Sequence, residues 1–138
     1  MDKRHTIITQ LSDKQLDQLH CLYKEEWWSS KRTILDVKRI VKNSSLIFGL
    51  VDQSDSLIAF CRVLTDHCIF AYIYDFIVKS DCRNQGLGDM TLKAVLDHPK
   101  LKLLDSIELV CRKNMTGYYQ KYGFSVDYGQ SIPMRLKI

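Results

Sequence analysis

At 138 residues, 46% hydrophobic and 26% charged, the chain has the make-up of a folded globular protein, which excludes a largely disordered or fibrous one. The length fits one domain, residues 1–138, since a core that needs no disulfide or metal is readily buried at about 100 to 150 residues. Its 20 Lys and Arg outnumber its 16 Asp and Glu for a net charge of +4, but the cations are scattered along the chain, so the charge suits a small anionic ligand and gives no sign of nucleic acid.

The N-terminal run Met1-Asp2-Lys3-Arg4-His5 leads into the strand-like Thr6-Ile7-Ile8-Thr9 and not into an apolar targeting segment. Ser12-x-x-Gln15 then reads as a capping box, followed by Leu16, Leu19 and Tyr23 at helical spacing. Trp27-Trp28-Ser29-Ser30 breaks that pattern, and Thr33-x-x-Asp36 opens a second capped helix with Ile34, Val37, Ile40 and Val41 on its apolar stripe. From Leu46 the character turns to strand: Leu46 to Val51, a polar turn at Asp52 to Ser56, Leu57 to Leu64, a break at Asp66-His67, and Ile69 to Val78. These are expected to be three sequential antiparallel strands. Leu87 to Leu96 carries Leu87, Thr91, Leu92 and Val95 at helical spacing and ends before Pro99. Ile107 to Cys111 reads as a strand, Met115 to Lys121 as a short helix stopped by Gly123, and Phe124 to Tyr128 with Met134 to Ile138 as a closing hairpin. The order is βααβββαβαββ, an α/β (α+β) fold on a mixed, mostly antiparallel sheet.

No stretch approaches the roughly 18 apolar residues of a membrane span. The five cysteines are odd in number and lack metal-ligand spacing, so they read as free thiols, mainly core ones, in a reducing compartment. The expectation is a cytoplasmic protein with no membrane contact and no metal, compatible with a homodimer.

The chemistry begins at Arg83-Asn84-Gln85-Gly86-Leu87-Gly88, between a strand and a helix. Without Cβ atoms, Gly86 and Gly88 let backbone N–H groups approach a phosphate closely, and the helix that begins near Leu87 adds the positive end of its dipole. Such a turn also serves simply to change direction, and Asp89, in the first helical turn, competes for the same N–H groups unless Lys93, four residues on, pairs with it. A Walker phosphate loop is excluded by its missing G-x-x-x-x-G-K-S/T, and a dinucleotide turn by the antiparallel strands that precede it.

The hexapeptide resembles the R/Q-x-x-G-x-G/A signature that follows the fourth strand in the GNAT superfamily of N-acetyltransferases, matched by Arg83, Gly86 and Gly88. Tyr118-Tyr119-Gln120-Lys121-Tyr122-Gly123-Phe124 is similar to the aromatic-Tyr-x-K-x-G-F segment after that superfamily's fifth strand, and the element order is also the family's. Trp27-Trp28-Ser29, Arg62 to Asp66 and Asp97-His98-Pro99 look like words found in small bacterial members.

The resemblance implies that the fourth and fifth strands splay apart and that acetyl-CoA binds with its pyrophosphate at Arg83, Asn84, Gln85, Gly86, Leu87 and Gly88. Its pantetheine arm would lie along Phe76, Ile77 and Val78, with Asn114 a further contact. It implies transfer of acetyl to an amine of a small molecule or peptide, with Tyr119 returning a proton to the departing thiolate; the alternative for this tyrosine, as for Tyr118 and Tyr122, is packing. Where some members carry a base carboxylate on the fourth strand, this chain has Tyr72, so the base is left to a water ordered by Tyr72 or Tyr74. Strict alternation would put Asp75 on the face opposite Tyr72, Tyr74 and Phe76. Trp27, Trp28 and Arg32 fall in the segment that meets the acceptor, or else one tryptophan anchors the two helices to the core. Two readings stay open beside the enzyme: a non-catalytic acyl-CoA-binding module and a transferase for longer acyl chains.

Overall fold

The computed structural model describes residues 4–138; Met1, Asp2 and Lys3 of the expected N-terminal run lie outside the described residues. β1 (Thr6–Ile8) is followed by α1 (Asp13–Glu25) and α2 (Ile34–Asn43), each opened by the capping box that its sequence spells. At α1 the Ser12 hydroxyl accepts the Gln15 N–H at 3.2 Å, while the Ser12 N–H donates to Gln15 Oε1 at 2.9 Å. Thr33 and Asp36 do the same for α2, at 3.1 and 2.8 Å. Each box satisfies N–H groups that a first helical turn leaves without partners, which fixes where the helix starts.

β2 (Leu46–Val51), β3 (Leu57–Thr65) and β4 (Phe70–Val78) form an antiparallel meander. At the β3–β4 turn the Asp66 carboxylate accepts the N–H groups of Ile69, Cys68 and Phe70 at 2.8, 2.9 and 3.1 Å, which holds its carboxyl below the usual range and explains the residue structurally. α3 (Leu87–Leu96) crosses over to β5 (Ser106–Leu109), which pairs parallel to β4, a neighbour no tight turn can reach. The sheet runs β1-β2-β3-β4-β5, and α4 (Thr116–Gln120) follows a 3₁₀ turn at Lys113–Met115.

Both faces of the sheet are covered. Leu19, Leu22 and Tyr23 of α1 and Val37 of α2 pack on Ile47, Val51, Leu57, Phe60 and Ile77. On the other face Leu92 and Val95 of α3, with Leu101, pack on Phe48, Cys61, Val63, Ala71 and Ile73. Two-sided burial is why the central strands read as near-continuous apolar runs rather than alternating ones.

β4 changes faces partway. Arg62 opposes Tyr74 while Phe60 opposes Ile77, so Asp75 and Phe76 together face Cys61 in a β-bulge, with Asp75 at φ +55°. Before the bulge Ala71 and Ile73 belong to the α3 face; after it Phe76 does, and Ile77 turns to α1. The alternation expected from sequence is therefore corrected: the extra residue puts Asp75 on the α1 face with Tyr74, where both meet Arg62. Pairing with β5 ends at Ile73–Leu109, so β4 and β5 separate from the bulge onward, the splay expected of the fourth and fifth strands.

The closing hairpin is a second correction: among the described residues no strand follows β5, and the sheet has five strands. Val126, Ile132, Met134 and Leu136 are exposed, and a groove of about 850 Å³, lined in part by Ile107, Leu109, Tyr119, Phe124 and Ile132, runs beside β5. Alternation supplies a strand's pattern but not its hydrogen-bond partner, and an edge as short as that of the four-residue β5 offers little to pair with. Of the five cysteines only Cys61 is buried; Cys21 and Cys68 are exposed, and Cys82 and Cys111 lie between, so the core-thiol expectation holds at Cys61 alone. Among the described residues no helix is long and apolar enough to cross a membrane.

Candidate active site

The β4–α3 connection is built from left-handed residues. Asn84 has φ +62° and Gly86 φ +78°, and Gly86 serves as the N-cap of α3 with no side-chain cap hydrogen bond among the described residues. A Cβ added at Gly86 would meet nothing within 4 Å, so the turn is open at this position. At Gly88 the reverse holds: a Cβ would stand 3.1 Å from Tyr118 Oη and 3.5 Å from both Phe76 Cζ and Val78 Cγ2. The turn is open on one side and backed closely on the other by β4 and α4. Uncapped N–H groups at the positive end of a ten-residue helix fit a phosphate-bearing ligand.

The rest of the hexapeptide plays other parts. Leu87 is buried against Leu50, Ile58 and Ala59 and anchors the turn, while Asn84 and Gln85 lie on the surface. Arg83 donates from Nε to the Val78 carbonyl at 3.0 Å and from Nη2 to Glu26 Oε1 at 2.7 Å, tying the residue after α1 to the loop.

The gap between β4 and β5 is bordered by Phe76 and Tyr119, whose rings meet edge to face at 6.4 Å. Tyr119 also packs on Tyr118 at 5.1 Å and Phe124 at 6.0 Å. Burial, with a smaller contribution from Cys111, pushes its phenol well above the ordinary tyrosine range, so it keeps its proton at neutral pH. Asp75 and Phe76 have no partner in the register with β3 or β5. Val78 pairs with Ala59, and Asn114 stands exposed before α4.

A second cluster occupies the α1 face. The Asp75 Oδ2 accepts from Tyr23 Oη at 2.8 Å, Arg32 Nη1 at 2.9 Å and Arg62 Nε at 2.7 Å. Arg32 lies over the rings of Tyr23 and Trp28 at 4.7 and 5.3 Å, and Arg62 over Tyr74 at 5.1 Å. Tyr72 and Tyr74 stack at 4.9 Å. Trp28, 38% exposed, meets Tyr23 edge to face, while Trp27 is 71% exposed beneath Arg112, which follows β5. The structure thus joins Trp28 and Arg32 to Tyr74 through Asp75 and Arg62, whereas Tyr119 packs with the α3 face beside Phe76.

Sequence reasoning missed Arg62 and Arg112. A basic residue on one strand near an acidic one on the next is a pairing signal only when the register is known, and the bulge conceals it. Asp75→Ala should destabilise the fold by about 2 to 3 kcal/mol, less than a fully buried pair because both arginines reach solvent. Thermal unfolding should fall by roughly 6 to 10 °C, and an unchanged midpoint would remove the structural role.

A family model described as the acetyltransferase (GNAT) family matches residues 13–124. An uncharacterized N-acetyltransferase of Pyropia yezoensis is 29% identical over 100 residues, 70% of this chain and 58% of that one. The chloroplastic serotonin N-acetyltransferase 2 of Oryza sativa is 25% identical over 95 residues, 66% of this chain and 47% of that one. The chain therefore spans about half the length of these curated relatives. The crystal structure of a GNAT-family acetyltransferase from Xanthomonas campestris superposes with a TM-score of 0.79 at 27% identity, covering 96% of this chain and 94% of that one.

Proposed function

The chain belongs to the acetyltransferase (GNAT) family, and from that premise we propose that it is a single-domain, cytoplasmic N-acetyltransferase that takes acetyl-CoA as donor. Its acceptor is an amine of a small molecule or peptide, which attacks directly while both substrates are bound. The observation that carries this reading is the uncapped, left-handed Gly86 turn at the start of α3, open to an anion and adjoining the gap that Phe76 and Tyr119 border.

In this reading the pyrophosphate rests on the amides from Gln85 to Gly88, and the pantetheine arm follows β4 at Phe76, Ile77 and Val78. The donor supplies an acyl group already activated as a thioester. This chain's residues do the rest. The backbone N–H at the bulge, freed from the sheet's register, orients the carbonyl and stabilises charge that develops on its oxygen. Tyr119 holds the proton that the leaving thiolate needs. Ordinary values make that transfer uphill by about 1.5 units, roughly 2 kcal/mol, and the burial that lifts the Tyr119 phenol makes it steeper.

An alkyl amine must shed a proton before it attacks, at roughly 4.6 kcal/mol for about 3.4 units at pH 7. Three donors already converge on the Asp75 Oδ2, so in our reading this carboxylate holds the cluster together and the base lies elsewhere. A water held at the stacked Tyr72 and Tyr74 takes that proton in our reading. Trp27, Trp28 and Arg32 form the acceptor wall, and since one relative is named for serotonin, aromatic amines lead the acceptors to be tried.

The engaged Asp75 and the tyrosine at position 72 favour a second reading, a non-catalytic acyl-CoA-binding module. Calorimetric titration with acetyl-CoA, then release of free CoA thiol across serotonin, other amines and peptides, separates the two. Binding with release from at least one amine is expected. No binding at millimolar acetyl-CoA overturns both readings, and binding without release from any amine leaves the module.

A further inference from the structure

Asp89 sits where the donor reading is least comfortable. It is the third residue of α3, and a carboxylate there ordinarily reaches back to the N-cap amide, the place a phosphate would take. Here it does not. Its Oδ1 accepts the Tyr122 hydroxyl at 2.5 Å, and its Oδ2 pairs with Lys93 Nζ at 3.0 Å. The Lys93 pair is exposed on both sides and holds the carboxylate only weakly. Tyr122 is half-buried in the turn that ends α4, its ring 5.6 Å from that of Tyr118, whose hydroxyl covers Gly88. The three tyrosines of this segment thus face three targets: Tyr119 meets Phe76, Tyr118 covers Gly88, and Tyr122 holds Asp89.

Resting on the acetyl-CoA reading above, we propose that Tyr122 is a positioning residue of the donor site. Its hydroxyl draws the Asp89 carboxylate away from the first amides of α3, leaving them to the pyrophosphate. The same bond ties α4, and Tyr119 with it, to the helix that holds the donor. The protonation states agree with this: the Asp89 carboxyl is held below its usual range first by the Tyr122 bond, and the Tyr122 phenol is lifted by burial and then by Asp89. At neutral pH one is a donor and the other an acceptor.

Tyr122→Phe keeps the ring and removes one oxygen, so thermal unfolding should report a folded protein. Calorimetry with CoA should then show affinity about three- to tenfold weaker, as expected for one unneutralised charge at a helix N-terminus. S-acetylpantetheine, which has no pyrophosphate, should bind the variant and the wild type alike. Adding Asp89→Asn to Tyr122→Phe should restore CoA affinity to within about twofold, by removing the freed charge. The proposal is overturned if Tyr122→Phe leaves CoA affinity unchanged, if both ligands weaken equally, or if Asp89→Asn gives no rescue. Wild-type protein that binds no CoA would reject the donor reading as well, whereas wild-type binding with an insensitive Tyr122→Phe rejects this inference alone.

Discussion

Replacing Gly86 with aspartate should abolish CoA binding while leaving the protein folded. Gly86 has φ +78°, and every L side chain there bears strain of order 1 kcal/mol. Space is not the obstacle, because a Cβ at this position meets nothing within 4 Å. The effect comes from charge: a carboxylate at the N-cap is attracted by the same amides and the same dipole that the pyrophosphate needs. It helps the helix and repels the ligand, so affinity and stability part company. Gly86→Ala carries the strain without the competition, and its CoA affinity should fall by only a few-fold. Gly86→Asn tolerates the left-handed backbone and competes without a charge, so it should fall between the two. Calorimetric affinities in the order Gly, Ala, Asn, Asp, with the aspartate variant weakened at least about a hundredfold and melting no lower than the alanine variant, are the expected pattern. Retention of CoA affinity within tenfold by Gly86→Asp would remove the turn from the donor site.

Gly86 was legible from sequence because freedom at positive φ is a property of one residue, and the capping boxes at Ser12 and Thr33 were legible because they close within four residues. The features that escaped depend on partners far away in the chain. The bulge at Asp75 exists only in the register of β4 against β3, so simple alternation assigned that carboxylate to the wrong face. Its three donors come from Tyr23, Arg32 and Arg62, on α1, the α1–α2 loop and β3. Tyr122 and Asp89 are 33 positions apart and meet only because α4 folds back over the start of α3. The segment from Met134 to Ile138 misled in the opposite sense: its local pattern is a strand's, but no edge accepts it. The donor loop was thus written locally, whereas the charges around it are tertiary.

Tyr119 tests the chemistry as Gly86 tests binding. Its ring borders the gap at Phe76 and no hydrogen bond holds its hydroxyl among the described residues, so Tyr119→Phe removes a proton and little packing. If the tyrosine serves as general acid, turnover should fall by about a hundredfold to ten-thousandfold, while CoA affinity stays within about twofold. The pH profile carries the sharper demand. Because burial lifts this phenol above its ordinary range, the wild-type rate should climb with pH as the acceptor amine loses its proton, without a falling limb below about pH 10. A wild-type limb that falls near pH 8 would assign the acid to another group. Equal turnover by Tyr119→Phe at every pH would leave the tyrosine as packing beside Phe124. A loss confined to turnover, with CoA still bound, separates a missing acid from a disturbed donor site, because the Gly86 variants fail at the step before it.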